Sequence, residues 1–267
     1  MDHQIKAEVQ EHAERDKTLA EDVSQILGIA FEKARILVTK ADLLYKAKMT
    51  QRFTDLRFRE RLKRTNPFLM QVRGLKTVRQ WAETQVASAL YASEEEAVGH
   101  VLEMVAKICH PQAREPTITD DFDFEVAVEG AIRGYQVKMS WDCMPMSSRK
   151  NLSNTIDRLT AHYSTEDIDF KGYFAPCYGS ISTRRPPGQK YITIRSRDFW
   201  AEVGSGDADF DAKVGEVCRL LFSEFRSDLN GRLIPELVAR LAVEGVREFG
   251  DSEGDIDYRL LFRAINR

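Results

Sequence analysis

The chain has 267 residues and a formal net charge of −3, and 43% of its residues are hydrophobic and 30% charged. These values are typical of a globular protein with a sizeable core, and no run of 18 apolar residues occurs, which excludes a membrane-spanning helix. Four cysteines lie far apart without the close pairs of a zinc site, and the polar first residues lack the apolar stretch of a signal peptide. We therefore expect a reduced, cytoplasmic protein with no membrane partner.

Positive charge is concentrated between Lys33 and Arg79. This stretch contains 14 Lys and Arg residues and three acids, a local net charge of +11, so the remainder of the chain carries −14. Such a stretch is either the solvated face of helices or a surface that contacts nucleic-acid phosphates. In the second interpretation, Arg59, Arg61 and Arg64 are candidate contacts.

The first part of the chain is predicted to be helical. Residues 4–64 contain no proline and few other helix breakers. Pro67 marks the first break, because the residue before a proline is pushed out of the helical region. A further helix is predicted over about 76–91, and Ser93, with Glu96 three residues later, is typical of the N-cap of another helix.

The apolar period then changes from helical to alternating. Residues 122–128 alternate apolar and polar side chains, as in a half-buried strand, and a second strand is predicted over 132–139 after a glycine turn. The following elements are a helix, two strands and three helices, at about 149–163, 173–177, 191–194, 208–226, 233–248 and 257–265. This order predicts an α/β fold with a mixed sheet of about five strands flanked by helices, preceded by a helical region.

The hairpin places polar side chains together. If its turn is centred just after Gly130, Asp123 faces Lys138 and Glu125 faces Gln136. All four side chains then lie on one face of the sheet, because side chains alternate along a strand. From the hairpin alone, such a face is either a solvated surface or a site for a cation.

The chemistry of these residues suits phosphodiester cleavage. Such cleavage needs a hard cation held by oxygen atoms and a lysine that orients or activates water beside it. Asp123 offers a carboxylate, Gln136 an amide oxygen and Val137 a backbone carbonyl, while Lys138 offers the positive charge.

A strand with Asp123, a turn and then "YQVK" (135–138) resembles the active-site hairpin of the PD-(D/E)xK nucleases. From about residue 65 to 226 the chain also resembles type II restriction endonucleases of the PmeII-like group. The landmarks of this resemblance are "TNPFL" (65–69), "SEEEAVGHVLE" (93–103), "DFEV" (123–126), "YQVKMSWDCMPMSS" (135–148), "CYG" (177–179) and "RDFWAEVGSGD" (197–207).

The resemblance implies a restriction-endonuclease-like fold and Mg²⁺-dependent hydrolysis of double-stranded DNA at a short specific site, with Mn²⁺ expected to substitute. It implies Asp123 as a metal ligand, Lys138 as the catalytic lysine and Glu103 as the acid on the preceding helix. Gln136 departs from the family pattern, where a carboxylate is commoner, and should weaken metal binding or leave one well-held ion; Glu125 is a possible replacement ligand. A homodimer and a cognate DNA methyltransferase are the implied partners.

Further residues are candidates for DNA contact, although packing or plain solvent exposure would explain them equally well. They are Trp141, Arg149 and Lys150 after the active strand, and Arg184 and Arg185 in a Pro-Gly loop. On this interpretation, residues 1–75 form a helical region that contacts DNA or a second subunit, and residues 76–267 form the catalytic domain.

Three alternatives stay open. In the first, the chain is a DNA-binding protein whose nuclease site has decayed, which the departure at Gln136 would explain. In the second, it is a nuclease of the same fold that acts on modified or repair DNA. In the third, it is a helical interaction protein whose basic stretch binds an acidic partner.

Overall fold

The computed structural model describes residues 2–266. Side chains are described there except for those of residues 2–12, Glu224, Phe225, Ser227, Asp228 and Arg232. The chain divides into two compact units. Unit 1 comprises residues 1–41 and 98–221, and unit 2 comprises residues 42–97 and 222–267.

The α-helices of the described residues are α1 (Asp2–Leu27), α2 (Phe31–Asp55), α3 (Phe58–Lys63), α4 (Pro67–Val72), α5 (Val78–Cys109), α6 (Met146–Ser164), α7 (Ser196–Val203), α8 (Phe210–Asp228), α9 (Ile234–Phe249) and α10 (Tyr258–Ile265). A π-helical turn, Leu229–Leu233, precedes α9. The predicted break at Pro67 begins α4, whose first turn is capped by Asn66 through a hydrogen bond from the Leu69 N–H to Oδ1 (3.0 Å).

The predicted helix start at Ser93 is wrong. Helix α5 runs through this position without interruption, and Ser93 is buried within it. Its hydroxyl donates to the carbonyl of Ala89, one turn earlier (3.2 Å), and accepts from Arg52 Nε (2.6 Å). A serine whose hydroxyl is satisfied in this way is tolerated inside a helix, so the capping-box pattern was misleading here.

Five strands form one mixed sheet in unit 1. They are β1 (Ala113–Arg114), β2 (Phe124–Val128), β3 (Ala131–Ser140), β4 (Asp169–Tyr178) and β5 (Ile192–Thr193), in this spatial order. The pairs β1–β2 and β2–β3 are antiparallel, whereas β3–β4 and β4–β5 are parallel. The predicted α/β fold with a mixed sheet of about five strands and an N-terminal helical region is therefore confirmed.

Helix α6 covers one face of this sheet. Its buried residues Leu152, Ile156 and Leu159 share a core with Phe122 and with side chains of β3 and β4. The helix approaches so closely that a Cβ at Gly172 in β4 would lie 2.4 Å from Ile156 Cδ1. A larger residue at this position would therefore force the buried side chain of Ile156 to move.

The side chain of Tyr135 in β3 lies in an aromatic row that includes α7. It stacks between Phe124 of β2 (ring centroids 4.9 Å apart) and Tyr173 of β4 (5.1 Å) and lies beside Phe199 of α7 (6.1 Å). Helix α7 was not predicted from the sequence, because eight residues give too short a periodic pattern.

Unit 2 has its own aromatic core. Trp81 is fully buried and packs edge-on against Phe249 (5.2 Å) and Phe58 (5.6 Å). Its indole N–H donates to Thr65 Oγ1 (3.0 Å), which satisfies the polar atom of this large side chain.

Among the described residues, no helix is both long and apolar enough to cross a membrane. The functional division into residues 1–75 and 76–267 concerns DNA contact and catalysis, and it stays a prediction.

Candidate active site

The β2–β3 hairpin differs from the predicted one by two residues in register. Phe124 pairs with Tyr135 and Glu125 with Gly134, so the expected facing pairs Asp123–Lys138 and Glu125–Gln136 are wrong. The reason lies in the turn, which has only two residues between β2 and β3. Its second residue, glycine, has a φ of 64°, and this left-handed conformation allows the tight connection.

Asp123 ends the pairing of β2 with β3. Its backbone N–H donates to the Tyr135 carbonyl (2.8 Å), while its side-chain Oδ2 accepts the Val137 N–H (2.6 Å). A carboxylate oxygen of the residue just before β2 thus accepts a hydrogen bond from a backbone N–H of β3. The Asp123 side chain is thereby fixed beside the middle of the "YQVK" segment.

Burial raises the pKa of Asp123 to about 6. The positive charge of Lys138 opposes this rise, whereas the nearby carboxylate of Glu103 adds to it. The site therefore holds a desolvated carboxylate with one cationic neighbour. Such a group is typical of functional sites, where burial and neighbouring charges shift the pKa values of the reacting groups.

Lys138 lies between two acids from different elements. Its Nζ is 3.2 Å from Glu103 Oε1, on α5, and 3.8 Å from Asp123 Oδ2. The other oxygen of Glu103 lies 3.2 Å from His100 Nδ1, one turn earlier on α5. The geometry thus brings the three ionisable residues of the proposed site together and adds His100 to them.

Gln136 has one amide atom engaged and one free. Its Nε2 donates to the backbone carbonyl of Asp121 (3.0 Å), and this bond sets the orientation of the amide. Its Oε1 is buried and has no hydrogen-bond partner in the described protein. Asp121 is itself held by Thr155 of α6, whose hydroxyl donates to Oδ2 (2.6 Å). A buried acceptor without a donor is costly unless something binds it.

The oxygen atoms of this site are chemically suited to bind a hard divalent cation. Asp123, Glu103, the Gln136 amide oxygen and the Val137 carbonyl are all oxygen donors, the kind that Mg²⁺ prefers. Among the described residues, no cluster of three or more His, Cys, Asp or Glu side chains with metal-binding geometry occurs. This agrees with an amide at the position where a third carboxylate is usual.

Glu125 does not join this group. It is fully buried, and its Oε2 accepts from Thr117 Oγ1 (3.4 Å) and lies 3.6 Å from the guanidinium of Arg114. Its partner across the hairpin is Gly134, not Gln136. Glu125 is thus tied to the opposite neighbour of β2 and has a structural partner of its own.

Three of the proposed DNA contacts lie in the loop after β3 and at the start of α6. Trp141 is half exposed, and its indole ring lies against Gly179. Arg149 donates to the carbonyls of Met144 (3.0 Å) and Trp141 (3.2 Å), so its guanidinium holds the loop between β3 and α6. Lys150 is exposed, and no ion pair involves it within the described residues.

The remaining proposed contacts lie elsewhere. Arg184 and Arg185 are exposed, and the backbone of Arg184 pairs with Thr193 of β5. In unit 2, Arg59 is exposed and lies 3.8 Å from a glutamate of α9, and Arg64 is exposed as well. Arg61, in contrast, is only 9% exposed and is not part of an open surface.

Sequence reasoning missed three residues that complete the site and its surroundings. His100 is not among the predicted site residues, although its spacing of three from Glu103 places both on one helix face. Asp121 belongs to a run of acids just before β2, which was a usable signal. Glu202 of α7 accepts from the Tyr135 hydroxyl (2.7 Å). Nothing in the sequence indicated that contact, because it joins elements 67 residues apart.

Comparison with protein families places this geometry in context. The model of one family, described as type II restriction endonuclease EcoO109I, matches residues 32–220, which is more than half of the chain. The match includes the whole sheet and the site residues Glu103, Asp123, Gln136 and Lys138. A comparison with curated proteins gives no match.

Proposed function

Because the chain belongs to the type II restriction endonuclease EcoO109I family and is therefore a DNA-acting nuclease, we propose that it hydrolyses double-stranded DNA at a short specific site and depends on Mg²⁺. The observation that carries this proposal is the position of Lys138 Nζ, 3.2 Å from Glu103 and 3.8 Å from Asp123. Lys138 lies two residues after Gln136, whose amide oxygen is buried and has no hydrogen-bond partner among the described residues.

Asp123, Gln136 and the Val137 carbonyl would hold the cation. A bound Mg²⁺ supplies charge that stabilises the phosphate in its transition state and lowers the pKa of water. Mn²⁺ is expected to substitute, because it also accepts oxygen ligands. The Asp123 carboxylate is already fixed by the Val137 N–H, so little reorganisation is required of it.

Lys138 would position the attacking water and stabilise negative charge on the phosphate. Glu103 would hold the ammonium group in place, and its link to His100 fixes the carboxylate in turn. Truncating Glu103 should therefore lower activity less than truncating Lys138 itself.

DNA would contact residues outside this centre. Trp141, Lys150, Arg184 and Arg185 are exposed in unit 1 and are available to base edges or phosphates. Arg149 would act by holding the loop that carries Trp141. In unit 2 the exposed Arg59 would add a phosphate contact, whereas Arg61 and Arg64 line a cavity that a duplex does not enter.

The remaining features of the proposal follow from the way such enzymes act. A homodimer would place one centre on each strand of a near-palindromic site. A cognate DNA methyltransferase would protect the host sequence, and both proteins would act in the cytoplasm. Kinship with the PmeII-like group within the restriction endonucleases also remains part of the proposal.

One alternative has a specific observation in its favour. The Gln136 amide replaces a charged ligand and donates to Asp121, as expected of a side chain that only stabilises the fold. If Gln136 had only this structural role, the protein would bind DNA but would not cleave it.

The two functions are separated by one experiment. Plasmid and bacteriophage DNA of known sequence would be incubated with the protein and Mg²⁺, Mn²⁺ or EDTA, and the fragment ends mapped. Discrete fragments with both metal ions and none with EDTA are expected. DNA binding without cleavage in either metal would support the decayed site and refute the proposed reaction.

A further inference from the structure

Unit 2 contains a cavity of about 390 Å³, lined by α3, α4, α5 and the end of α2. Four arginines line it, namely Arg52, Arg61, Arg64 and Arg73. The rest of the lining consists of hydroxyl and amide side chains and of leucine, methionine and alanine. This cavity plays no part in the cleavage chemistry proposed above, so it raises a separate question of function.

The positive charge of this cavity is not balanced by the protein. No carboxylate lines it among the described residues. Arg52 Nε is engaged by Ser93 Oγ (2.6 Å), but Arg61, Arg64 and Arg73 have no ion pair within the described chain. Glu60, the residue before Arg61, is the acid that offsets its charge in part.

Arg61 shows the imbalance most clearly. It is only 9% exposed, and its Nε atom is buried without a hydrogen-bond partner. Burial lowers its pKa, and the positive charges of Arg64 and Arg52 lower it further. A buried, unpaired charge is costly to the folded state, so a protein retains one where a ligand of opposite charge compensates it.

The donor chemistry of the cavity suits a phosphate group. Guanidinium groups present planar pairs of N–H donors that match the oxygens of phosphate, and several of them together favour a dianion over a single carboxylate. The apolar part of the lining, Leu69, Met70 and Leu75 with two alanines, offers contact to an organic group attached to the phosphate.

The size of the cavity limits that organic group. Cavities of about 300–1,000 Å³ hold small molecules, and a duplex, whose major groove alone is about 12 Å wide, cannot enter. We propose that this cavity binds a small phosphate monoester of about mononucleotide size, with Arg61, Arg64 and Arg73 on its phosphate group. The site is distinct from the nuclease centre and extends the function of the protein beyond cleavage.

The test measures binding without any cleavage. Thymidine 5′-monophosphate and inorganic phosphate would be titrated into the full-length protein by calorimetry, in EDTA and at an ionic strength held constant with chloride. Thymidine without phosphate is the ligand control. Binding of the monophosphate, weaker binding of inorganic phosphate and none of thymidine are expected.

Substitutions assign the binding to the cavity. Arg61→Leu should weaken the monophosphate by about tenfold or more, because a charge-assisted pair is lost. Arg64→Ala, at an exposed position that tolerates truncation, should weaken it as well, so the assignment does not depend on the folding of one variant. Arg57→Leu removes the same charge from the exposed start of α3, outside the cavity, and should bind as the unmodified protein does.

Three results would overturn the inference. The first is that thymidine 5′-monophosphate does not bind. The second is that it binds with equal affinity to Arg61→Leu, Arg64→Ala and Arg57→Leu. The third is that a blunt DNA duplex without terminal phosphates displaces it. The last result would make DNA the occupant of these arginines. Cleavage assays play no part in any of these readings, so failure here leaves the proposed nuclease reaction untouched.

Discussion

Replacing Gln136 by glutamate restores the commoner ligand and gives opposite effects with and without metal. In the absence of metal the variant loses the hydrogen bond from Nε2 to the Asp121 carbonyl and places a carboxylate oxygen about 3.0 Å from that carbonyl. The substitution also makes the buried Oε1 position part of a charged carboxylate, and a buried polar group left without a donor costs about 1–3 kcal/mol. For a chain of this size, the melting temperature should fall by about 3–10 °C.

Mg²⁺ should reverse part of this loss. The added carboxylate attracts the ion, and each tenfold gain in affinity adds about 1.4 kcal/mol of stability at saturating metal. Thermal unfolding at pH 8 in EDTA and in increasing Mg²⁺ measures both effects. The half-saturating Mg²⁺ concentration should be lower for Gln136→Glu than for the unmodified protein.

Gln136→Met is the matched control, because methionine fills a similar volume and offers neither the N–H donor nor the oxygen ligand. It should be destabilised in EDTA and should gain less from Mg²⁺ than either other protein. Equal melting of Gln136→Glu and the unmodified protein in EDTA would refute the contact with Asp121. Equal Mg²⁺ responses of the unmodified protein and Gln136→Met would show that Glu103 and Asp123 hold the ion without Gln136.

Three further predictions follow. Asp123→Ala and Lys138→Ala should each abolish cleavage of plasmid DNA and leave DNA binding intact, and cleavage by either variant would disprove its assigned role. Replacing Arg59 and Lys63 by alanine should reduce the slope of the logarithm of the DNA association constant against the logarithm of the salt concentration by up to about 2 units, at about 0.9 per phosphate contact. An unchanged slope with altered subunit association would show that the basic stretch between Lys33 and Arg79 is a subunit interface. Gly172→Ala should lower the melting temperature by about 3–10 °C through a loss of about 1–3 kcal/mol, because the new Cβ would lie 2.4 Å from Cδ1 of Ile156 in α6. A melting temperature unchanged within 1 °C, which corresponds to roughly a quarter of a kcal/mol, would show that this contact is relieved at no cost.

The sheet could be predicted because half-buried strands impose a period of two on their side chains. This pattern is clear over 122–128 and 132–139, and the structure has β2 and β3 there. The register could not be derived in the same way. A shift of two residues preserves which side chains share a face, so the pattern does not distinguish the two alignments. The conformation of Gly130 in the turn distinguishes them.

The site was predictable only in part, for a related reason. The spacing within "YQVK" places Gln136 and Lys138 on one face of β3, but their partners come from other elements. The contact of Lys138 with Glu103 joins residues 35 apart, and that of Gln136 with Asp121 joins residues 15 apart. Such contacts depend on how the elements pack, which local periodicity does not encode.

The charge of the centre favours a single bound ion. Asp123, Glu103 and Lys138 together carry −1 when all are ionised, and the amide at Gln136 adds nothing. One divalent ion brings this group to +1, which matches the single negative charge of a phosphodiester. A second ion would raise it to +3, and the two other carboxylates nearby already have partners: Glu125 is engaged by Thr117 and an arginine, and Asp121 by Thr155. A carboxylate at position 136 would change this balance by one unit, so the natural glutamine is itself an argument for chemistry with one metal ion.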